Sequence, residues 1–327
     1  MFNSLKFKVI LFGFIFTFFS SFGQSYFLGL FNSSIREALS ITHGQFGSIY
    51  ASATLCSSLL LIWVGKKIDD VNIFKFAFFV TILLSFACFF FSRVTSVFLL
   101  FIAIFLMRFS GQGMMSHTAS TTISRYFTKT RGRALSISWF GLSSAEFIMP
   151  VLMVYLLTII DWQNLWLIFS ISVLIILPIV SFLLIKNLNL DSREANDENI
   201  KHVEIKQWRR RDVLKDYRFY IISSNMLAMP WIFTGFAVFQ SFVQTSKGWG
   251  PYVIAQSFMS YSIFSVLTLF LSGFLIDKFT SRKLLIYMNI PLLLSVIVLF
   301  LFDTPITAFL FLGLVGISNG FANILGS

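Results

Sequence analysis

The chain has 327 residues, of which 57% are hydrophobic and only 12% are charged. Soluble globular proteins have roughly a quarter of their residues charged, so this composition excludes a soluble protein and indicates one that crosses a membrane many times. The net charge of +11 belongs to loops and not to a soluble recognition module, so it does not indicate nucleic-acid binding.

Ten apolar runs are long enough to cross a hydrocarbon core of about 30 Å, which takes roughly 20 helical residues. We number them spans 1 to 10 and predict them at residues 9–31, 45–64, 74–92, 96–118, 134–158, 163–185, 218–244, 252–275, 284–302 and 304–326. The first run exceeds the roughly 7–15 apolar residues of a signal peptide, so we expect it to stay as a helix.

The basic residues predict the orientation of these spans. With a cytoplasmic amino terminus, 21 of the 25 Lys and Arg residues fall on the cytoplasmic side. An excess of Lys and Arg is typical of cytoplasmic loops. We therefore expect a multi-pass protein of the plasma membrane, here a bacterial inner membrane, with the lipid bilayer as its main partner and a monomer as its state.

A short turn motif occurs twice, 208 residues apart. Gly65-Lys66-Lys67-Ile68-Asp69 follows span 2, and Gly273-Phe274-Leu275-Ile276-Asp277-Lys278 follows span 8. The same offset places residues 108–113 of span 4 over residues 316–321 of span 10. A repeat that covers whole helices predicts two similar halves.

The repeat also predicts the domain boundaries. We expect a first half at residues 1–186, a cytoplasmic linker at 187–216 and a second half at 217–327. The polar and charged linker cannot bury enough apolar surface to form a core. By the 208-residue offset, the second half should continue for two further spans beyond Ser327, so we expect it to be truncated.

Four features resemble the major facilitator superfamily. They are the duplicated turn, Arg108-x-x-Gly111-x-Gly113 in span 4, Arg131-Gly132-Arg133-Ala134 before span 5, and Asp212-Val213-Leu214-Lys215-Asp216 before span 7. The resemblance implies an all-α fold of two six-helix halves, here with about ten helices, that moves a small solute by rocking the halves.

The resemblance also implies an inner gate at the turns. Its acidic residues would brace one half against the other, at the start of span 5 or at a helix beyond Ser327. The predicted gate residues are Gly65, Asp69, Arg125, Arg133, Gly273, Asp277 and Arg282. The glycines would allow a close helix approach or an unusual backbone angle, and the alternative interpretation is ordinary solvated loop charge.

Arg108 and Glu146 are ionisable residues deep within spans 4 and 5. An isolated charge at that depth costs several kcal/mol, so we expect the two side chains to pair directly or through water, or to face a wet cavity. One interpretation is a structural ion pair. The other is that Glu146 binds and releases a proton while Arg108 shifts its pKa or pairs with an anionic substrate.

Spans 1, 4, 7 and 10 line the transport path in the resembling family. On them Gln24, Gln112, Gln240 and Trp231, which follows Pro230, are further candidates for a substrate and proton cavity. Hydrogen bonding between helices is the alternative explanation for each polar side chain.

No cofactor, metal site or catalytic constellation is predicted. Cys56 and Cys88 lie within apolar spans, and His43, His117 and His202 are scattered along the chain. An enzyme is therefore not expected.

Residues 21–27 of span 1 and 45–48 of span 2 resemble bacterial monocarboxylate and oxalate/formate carriers. An arginine within the membrane suits a carboxylate. We therefore expect a secondary carrier of a small organic anion, such as a monocarboxylate, that moves with protons. The alternatives are a proton-coupled exporter of drug-like compounds or metabolites, and a membrane receptor or scaffold without transport.

Overall fold

The computed structural model describes residues 4–127, 130–186, 210–279 and 281–325. Within these ranges it leaves out the side chains of residues 4, 210, 211, 272–274, 276–279, 281–283, 324 and 325. Most of the predicted linker and the predicted gate side chains Gly273, Asp277 and Arg282 therefore lie outside the described residues.

The regular structure of the described residues is helical, and ten helices are long and apolar enough to cross a membrane. This confirms the predicted all-α fold and the number of spans. Spans 1 to 6 consist of helices Ser4–Ser20, Ser25–Leu30, Asn32–Leu39, His43–Val64, Lys67–Asp70, Ile73–Ser92, Val97–Met107, Arg108–Met115, Ser116–Tyr126, Arg131–Leu156 and Trp162–Ile185, with a short 3-10 turn at Ser21–Gly23. Spans 7 to 10 follow as helices Arg210–Lys215, Tyr217–Val238, Gln240–Ser246, Val253–Phe279, Ser281–Tyr287, Ile290–Leu301 and Ile306–Leu325.

Polar residues cap the first turns of several of these helices, where the chain enters the membrane. Thr42 and Gln45 form a capping box at the start of span 2, with the Gln45 amide donating to Thr42 Oγ1 over 3.2 Å. Ser96 accepts from the Leu99 amide at the start of span 4, over 3.3 Å. Such caps satisfy the backbone N–H groups that a helix leaves without partners.

Successive spans run in opposite directions, so the bundle has two distinct ends. We call the end at which span 2 meets span 3 the Asp69 end, and the end at which span 9 meets span 10 the Asp303 end. Within the first half, span 1 packs against span 5 and span 3 against span 6. Within the second half, span 10 packs against spans 8 and 9. Spans 5 and 8 meet across the halves, as do spans 1 and 7.

Three spans are irregular near the centre of the bundle. Span 1 leaves the helix at Gln24, which has the extended angles φ −78° and ψ 152°, and is interrupted again at Phe31. Span 7 is interrupted at Phe239, with φ −102° and ψ 17°. Residues Arg108–Met115 of span 4 form a π-helix, a geometry often found at functional sites. The sequence predicted spans 1 and 7 as single runs, because apolar composition does not reveal where a tertiary contact interrupts a helix.

Candidate functional site

A cavity of about 440 Å³ lies between the two halves. Its lining comes from spans 1, 4, 5, 7, 8 and 10 and runs from the middle of the bundle towards the Asp69 end. The polar and aromatic side chains in this lining are Gln24, Ser25, Gln112, Ser136, Trp139, Phe140, Ser143, Glu146, Phe233, Thr234, Tyr261, Ser265, Phe270, Asn319 and Asn323. A space that both halves enclose is the arrangement expected of a solute site at a repeat interface.

Three of the six predicted cavity residues line this space, namely Gln24, Gln112 and Glu146. The irregular backbone places two of them. Gln24 is the extended residue that interrupts span 1, and Gln112 lies within the π-helix of span 4. The local departures from α-helix therefore bring amide groups to the cavity.

The sequence interpretation missed the other lining residues of span 5. Ser136, Trp139 and Ser143 lie ten, seven and three residues before Glu146, and residues at such spacings share one face of a helix. The same periodicity joins Tyr261, Ser265 and Leu269 on span 8. Tracing the helical face of Glu146 through the sequence would have identified the span 5 set.

Glu146 faces the cavity and has no partner among the described residues. The side chain is 5% exposed, and no described residue forms a hydrogen bond or ion pair with its carboxylate. Tyr261 of the second half lines the same cavity. A carboxylate this deep in a membrane protein is costly unless it binds a proton or a ligand, so Glu146 has the chemistry of a group that binds one of them.

Arg108 lies behind the cavity wall. The residue is 7% exposed, and Nη1 of its guanidinium donates to the Gly23 carbonyl over 2.9 Å and to Ser25 Oγ over 3.3 Å. The guanidinium carbon lies 5.4 Å from the centre of the Tyr50 ring, within cation–π range. The predicted direct pair with Glu146 is not formed, because the interruption of span 1 supplies closer acceptors.

Ser25 connects the wall of the cavity to both halves. Its hydroxyl accepts from the Tyr50 hydroxyl over 2.9 Å, in addition to the bond from Arg108. It also lies 3.5 Å from Thr234 Oγ1 of span 7. A small side chain thus joins span 2, span 4 and the second half at the edge of the cavity.

Trp231 does not line the cavity. It is 80% exposed on the outside of the bundle, whereas its neighbour Pro230 lines the cavity. Adjacent residues of a helix point about 100° apart, so only one of the two faces inward. The predicted packing of Trp231 on a substrate is therefore wrong in this conformation.

Gln240 also lies away from the main cavity, at the closed Asp303 end. Its Nε2 donates to the Tyr26 carbonyl of span 1 over 2.9 Å. A second hydrogen bond runs in the opposite direction, from Asn32 Nδ2 of span 1 to the Val238 carbonyl of span 7 over 2.7 Å. Asn32 and Gln240 lie 208 positions apart, which is the repeat offset. We call this reciprocal pair the amide latch, and it bridges the halves with two buried hydrogen bonds.

The Asp69 end has a different chemistry. Asp69 forms an ion pair with Arg125 of span 4, and Arg125 Nη2 also donates to the Ile68 carbonyl over 3.1 Å. The Gly65 carbonyl lies 2.9 Å from His117 Nε2. Gly65 has φ −57° and ψ −33°, so the predicted unusual backbone angle at this glycine is wrong. Arg133 is exposed and has no ion-pair partner among the described residues. Asp69 therefore binds within the first half in this conformation.

Metal chemistry has no candidate site in the part of the chain that the structure describes. Within those residues, no three His, Cys, Asp or Glu side chains come together as a possible ligand set. The chemistry available at the cavity is that of one carboxyl group, several amides and hydroxyls, and aromatic surface.

Comparison with protein families gives one match along nearly the whole chain. The family model described as Major Facilitator Superfamily matches residues 13–327. A search of curated proteins finds no match.

Solved structures share the fold at low sequence identity. A bacterial homolog of the human lysosomal transporter Spinster, in an inward-facing and unoccupied conformation, has a TM-score of 0.73 at 18% identity, covering 99% of this chain and 74% of that one. The same homolog in an inward-facing and occupied conformation has a TM-score of 0.71 at 16% identity, covering 97% and 71%. The nucleoside transporter NupG has a TM-score of 0.68 at 15% identity, covering 99% and 81%.

Proposed function

The chain belongs to the Major Facilitator Superfamily, and from this membership we propose that it carries a small organic solute across the membrane by alternating access, coupled to protons. It is a multi-pass membrane transporter and not an enzyme. The observation that carries the proposal is the cavity between the halves, which reaches the Asp69 end while spans 1 and 7 are in contact at the Asp303 end.

We assign the Asp69 end to the cytoplasm. The support is the distribution of charge, since 21 of the 25 Lys and Arg residues belong to segments on that side. With this orientation the conformation faces inward. Rocking of the halves would then separate spans 1 and 7 and close the cavity at the Asp69 end.

Glu146 is the proposed proton-binding group. Its carboxyl group faces the cavity and has no protein partner among the described residues, so nothing in the wall competes with a proton or a ligand. A carboxyl group that is neutral in one half of the cycle and ionised in the other couples the proton gradient to the movement of the halves.

We propose a small organic anion, such as a monocarboxylate, as the cargo. The support is the positive charge of Arg108, which lies directly behind Ser25 in the cavity wall and has no carboxylate partner among the described residues. A protonated Glu146 would donate a hydrogen bond to the cargo carboxylate, so anion and proton would bind together.

A second candidate cargo is a drug-like compound or metabolite that leaves in exchange for protons. The observation that favours it is the lining itself, which contains Glu146, aromatic side chains and, among the described residues, no Lys or Arg. Ionised Glu146 would attract a cationic or polar aromatic compound and release it on binding a proton.

The test combines ligand binding with transport by the purified full chain. Ligands that bind the folded state raise the thermal unfolding temperature by mass action, so lactate, formate, oxalate, uridine and an aromatic amine are compared. Stabilisation by the carboxylates supports the first cargo and stabilisation by the amine the second. No stabilisation by any solute, and no uptake into liposomes, would leave a receptor or scaffold as the better explanation.

Replacement of Glu146 tests the proton coupling directly. Glu146→Gln keeps the shape of the side chain but cannot exchange a proton, so uptake into liposomes should no longer respond to an imposed pH gradient. Asp161→Asn, at an exposed acid before the start of span 6, is the matched control and should keep the response. Full pH-driven uptake by the Glu146→Gln variant contradicts the proposal.

A further inference from the structure

We propose that Arg108 is a positioning residue, which holds span 1 interrupted so that Gln24 faces the cavity, and that it does not itself contact the cargo in this conformation. This inference rests on the proposed function only in taking the cavity as the transport site. It assigns the buried arginine to the wall of the site and Gln24 to its contact surface.

The interruption of span 1 leaves one backbone carbonyl without its helical donor. In a continuous α-helix, the carbonyl of residue 23 accepts from the amide of residue 27. The extended conformation of Gln24 takes the Gly23 carbonyl out of this pattern, and the helix resumes with the Leu28 amide donating to the Gln24 carbonyl. A buried carbonyl within a membrane needs another donor, and Arg108 Nη1 supplies it over 2.9 Å.

The residues on both sides of Gln24 are held by hydrogen bonds. The same guanidinium nitrogen binds Gly23 before it and Ser25 after it. Ser25 is held further by the Tyr50 hydroxyl, and the Tyr50 ring lies beneath the guanidinium. Gln24 is therefore fixed between two anchored neighbours and faces the cavity.

Close packing of spans 1 and 4 holds Arg108 opposite the interruption. Spans 1 and 4 cross at two glycines, where a Cβ atom on Gly23 would come within 2.8 Å of Gly111 Cα. The two backbones thus pack too closely for a side chain at Gly23, which leaves no room for a shift of one span along the other. Because Arg108 and Gly111 belong to the same π-helix, the crossing fixes the guanidinium beside Gly23.

Arg108 does not reach the surface of the cavity in this conformation. Gln24 and Ser25 line the cavity, whereas Arg108 does not. All three polar contacts of the guanidinium, to Gly23, Ser25 and Tyr50, are made behind that wall. Loss of Arg108 would allow residue 24 to return to helical geometry, which turns its side chain from the cavity.

The test measures the exposure of residue 24 and needs no cargo. In the full chain with Cys56→Ser and Cys88→Ser, a cysteine is introduced as Gln24→Cys and labelled with the water-soluble thiol reagent 2-sulfonatoethyl methanethiosulfonate. Addition of Arg108→Lys keeps the positive charge but removes the planar guanidinium that lies over the Tyr50 ring and directs its donors at Gly23 and Ser25. The labelling rate should fall about tenfold, since a hydrogen bond from a charged donor biases a local equilibrium by at least about that factor.

Two further variants control for misfolding. Ser143→Cys, on span 5, lines the same cavity, and its labelling rate should not change with Arg108→Lys. Tyr50→Phe removes only the hydroxyl bound to Ser25 and should lower the Gln24→Cys rate by a smaller factor.

Equal labelling of Gln24→Cys with and without Arg108→Lys and Tyr50→Phe, with Ser143→Cys still labelled, would overturn the inference. So would selective loss of anion transport in Arg108→Lys without a change in Gln24→Cys labelling, because that result assigns a direct contact. Failure of the chain with an unchanged Arg108 to transport any solute bears on the proposed function and not on this inference, since the labelling is independent of cargo.

Discussion

Gly29 sets how closely span 1 approaches span 7 at the Asp303 end. A Cβ atom at this position would collide with the Ala237 carbonyl and would lie 2.6 Å from Gln240 Nε2. The closed contact thus requires the absence of a side chain, because backbone on one span touches backbone on the other. One methyl group at residue 29 is enough to disturb closure.

We predict that Gly29→Ala opens the Asp303 end. Overpacking a close contact costs about 1–3 kcal/mol, which would shift the closed state towards the open one by about tenfold. The measurement is labelling of Ser143→Cys, in the Cys56→Ser and Cys88→Ser chain, by an impermeant thiol reagent added from the Asp303 side. Gly44→Ala is the matched control, since the nearest atom to an added Cβ at that position would be 4.0 Å away. This variant should leave the labelling unchanged.

Arg108 and Glu146 show which part of a residue's role can be predicted from the sequence. Their depth within spans 4 and 5 follows from counting residues along apolar helices, and both are buried in the structure. Their contacts could not be predicted. The acceptor for Arg108 is a carbonyl released by the interruption of span 1, and no side-chain pattern in the sequence reveals a backbone acceptor.

At the scale of elements, the interruptions of spans 1 and 7 create the contact between the halves. Phe31 and Phe239 interrupt their spans at positions 208 residues apart, and each is followed directly by a residue of the amide latch. Val238 has the last carbonyl of its helix, which lacks an intrahelical donor and is free to accept from Asn32. The duplicated interruption therefore produces a nearly symmetric closure.

We predict that the amide latch stabilises the closed Asp303 end. Asn32→Leu and Gln240→Leu each remove a hydrogen bond worth about 1 kcal/mol net, so each should increase access to Ser143→Cys from that side by about fivefold. Asn289→Leu is the matched control, because Asn289 Nδ2 donates to the Asn225 carbonyl over 2.8 Å within the second half. Equal access to Ser143→Cys in all three variants would show that the amide latch does not stabilise the closed Asp303 end.

At the scale of the whole molecule, the two ends are held by different forces. The Asp303 end is closed by buried amide bonds and by aromatic contacts such as Tyr26 with Phe258, whose ring centres are 5.5 Å apart. Among the described residues, the Asp69 end shows the ion pair of Asp69 and Arg125, which are 68% and 31% exposed and lie in one half. Such an exposed pair contributes about 0–1 kcal/mol, so it does not hold the halves together.

The charge distribution predicts which end faces the cytoplasm. Thr95 is exposed in the loop before span 4, so Thr95→Cys should react with an impermeant thiol reagent on intact cells. Asp70 is exposed in the turn after span 2, so Asp70→Cys should react only after the membrane is opened. Both cysteines are placed in the Cys56→Ser and Cys88→Ser chain. The reverse pattern would place the amino terminus outside and make the conformation outward-facing.

The fold was more predictable than the site because apolar length is a property of the sequence alone. The ten spans follow from runs of about 20 apolar residues. Span 4, predicted to end at residue 118, continues as helix to Tyr126, since Thr and Ser residues near its end face other helices and not lipid. Gln240 was predicted to line the cavity but lies in the latch, because the interruption at Phe239 changes the direction of every residue after it.

The first interruption of span 1 has no counterpart in the described part of the other half. The position that corresponds to Gln24 is Ile232, within the uninterrupted helix Tyr217–Val238, and the position that corresponds to Arg108 is Gly316, which packs against the Tyr261 carbonyl. Both halves have the interruption that closes the Asp303 end, but among the described residues only the first has the arginine and the extended glutamine. The two halves therefore have unequal roles, so exchanging residues 108 and 316 between them would not give an equivalent protein.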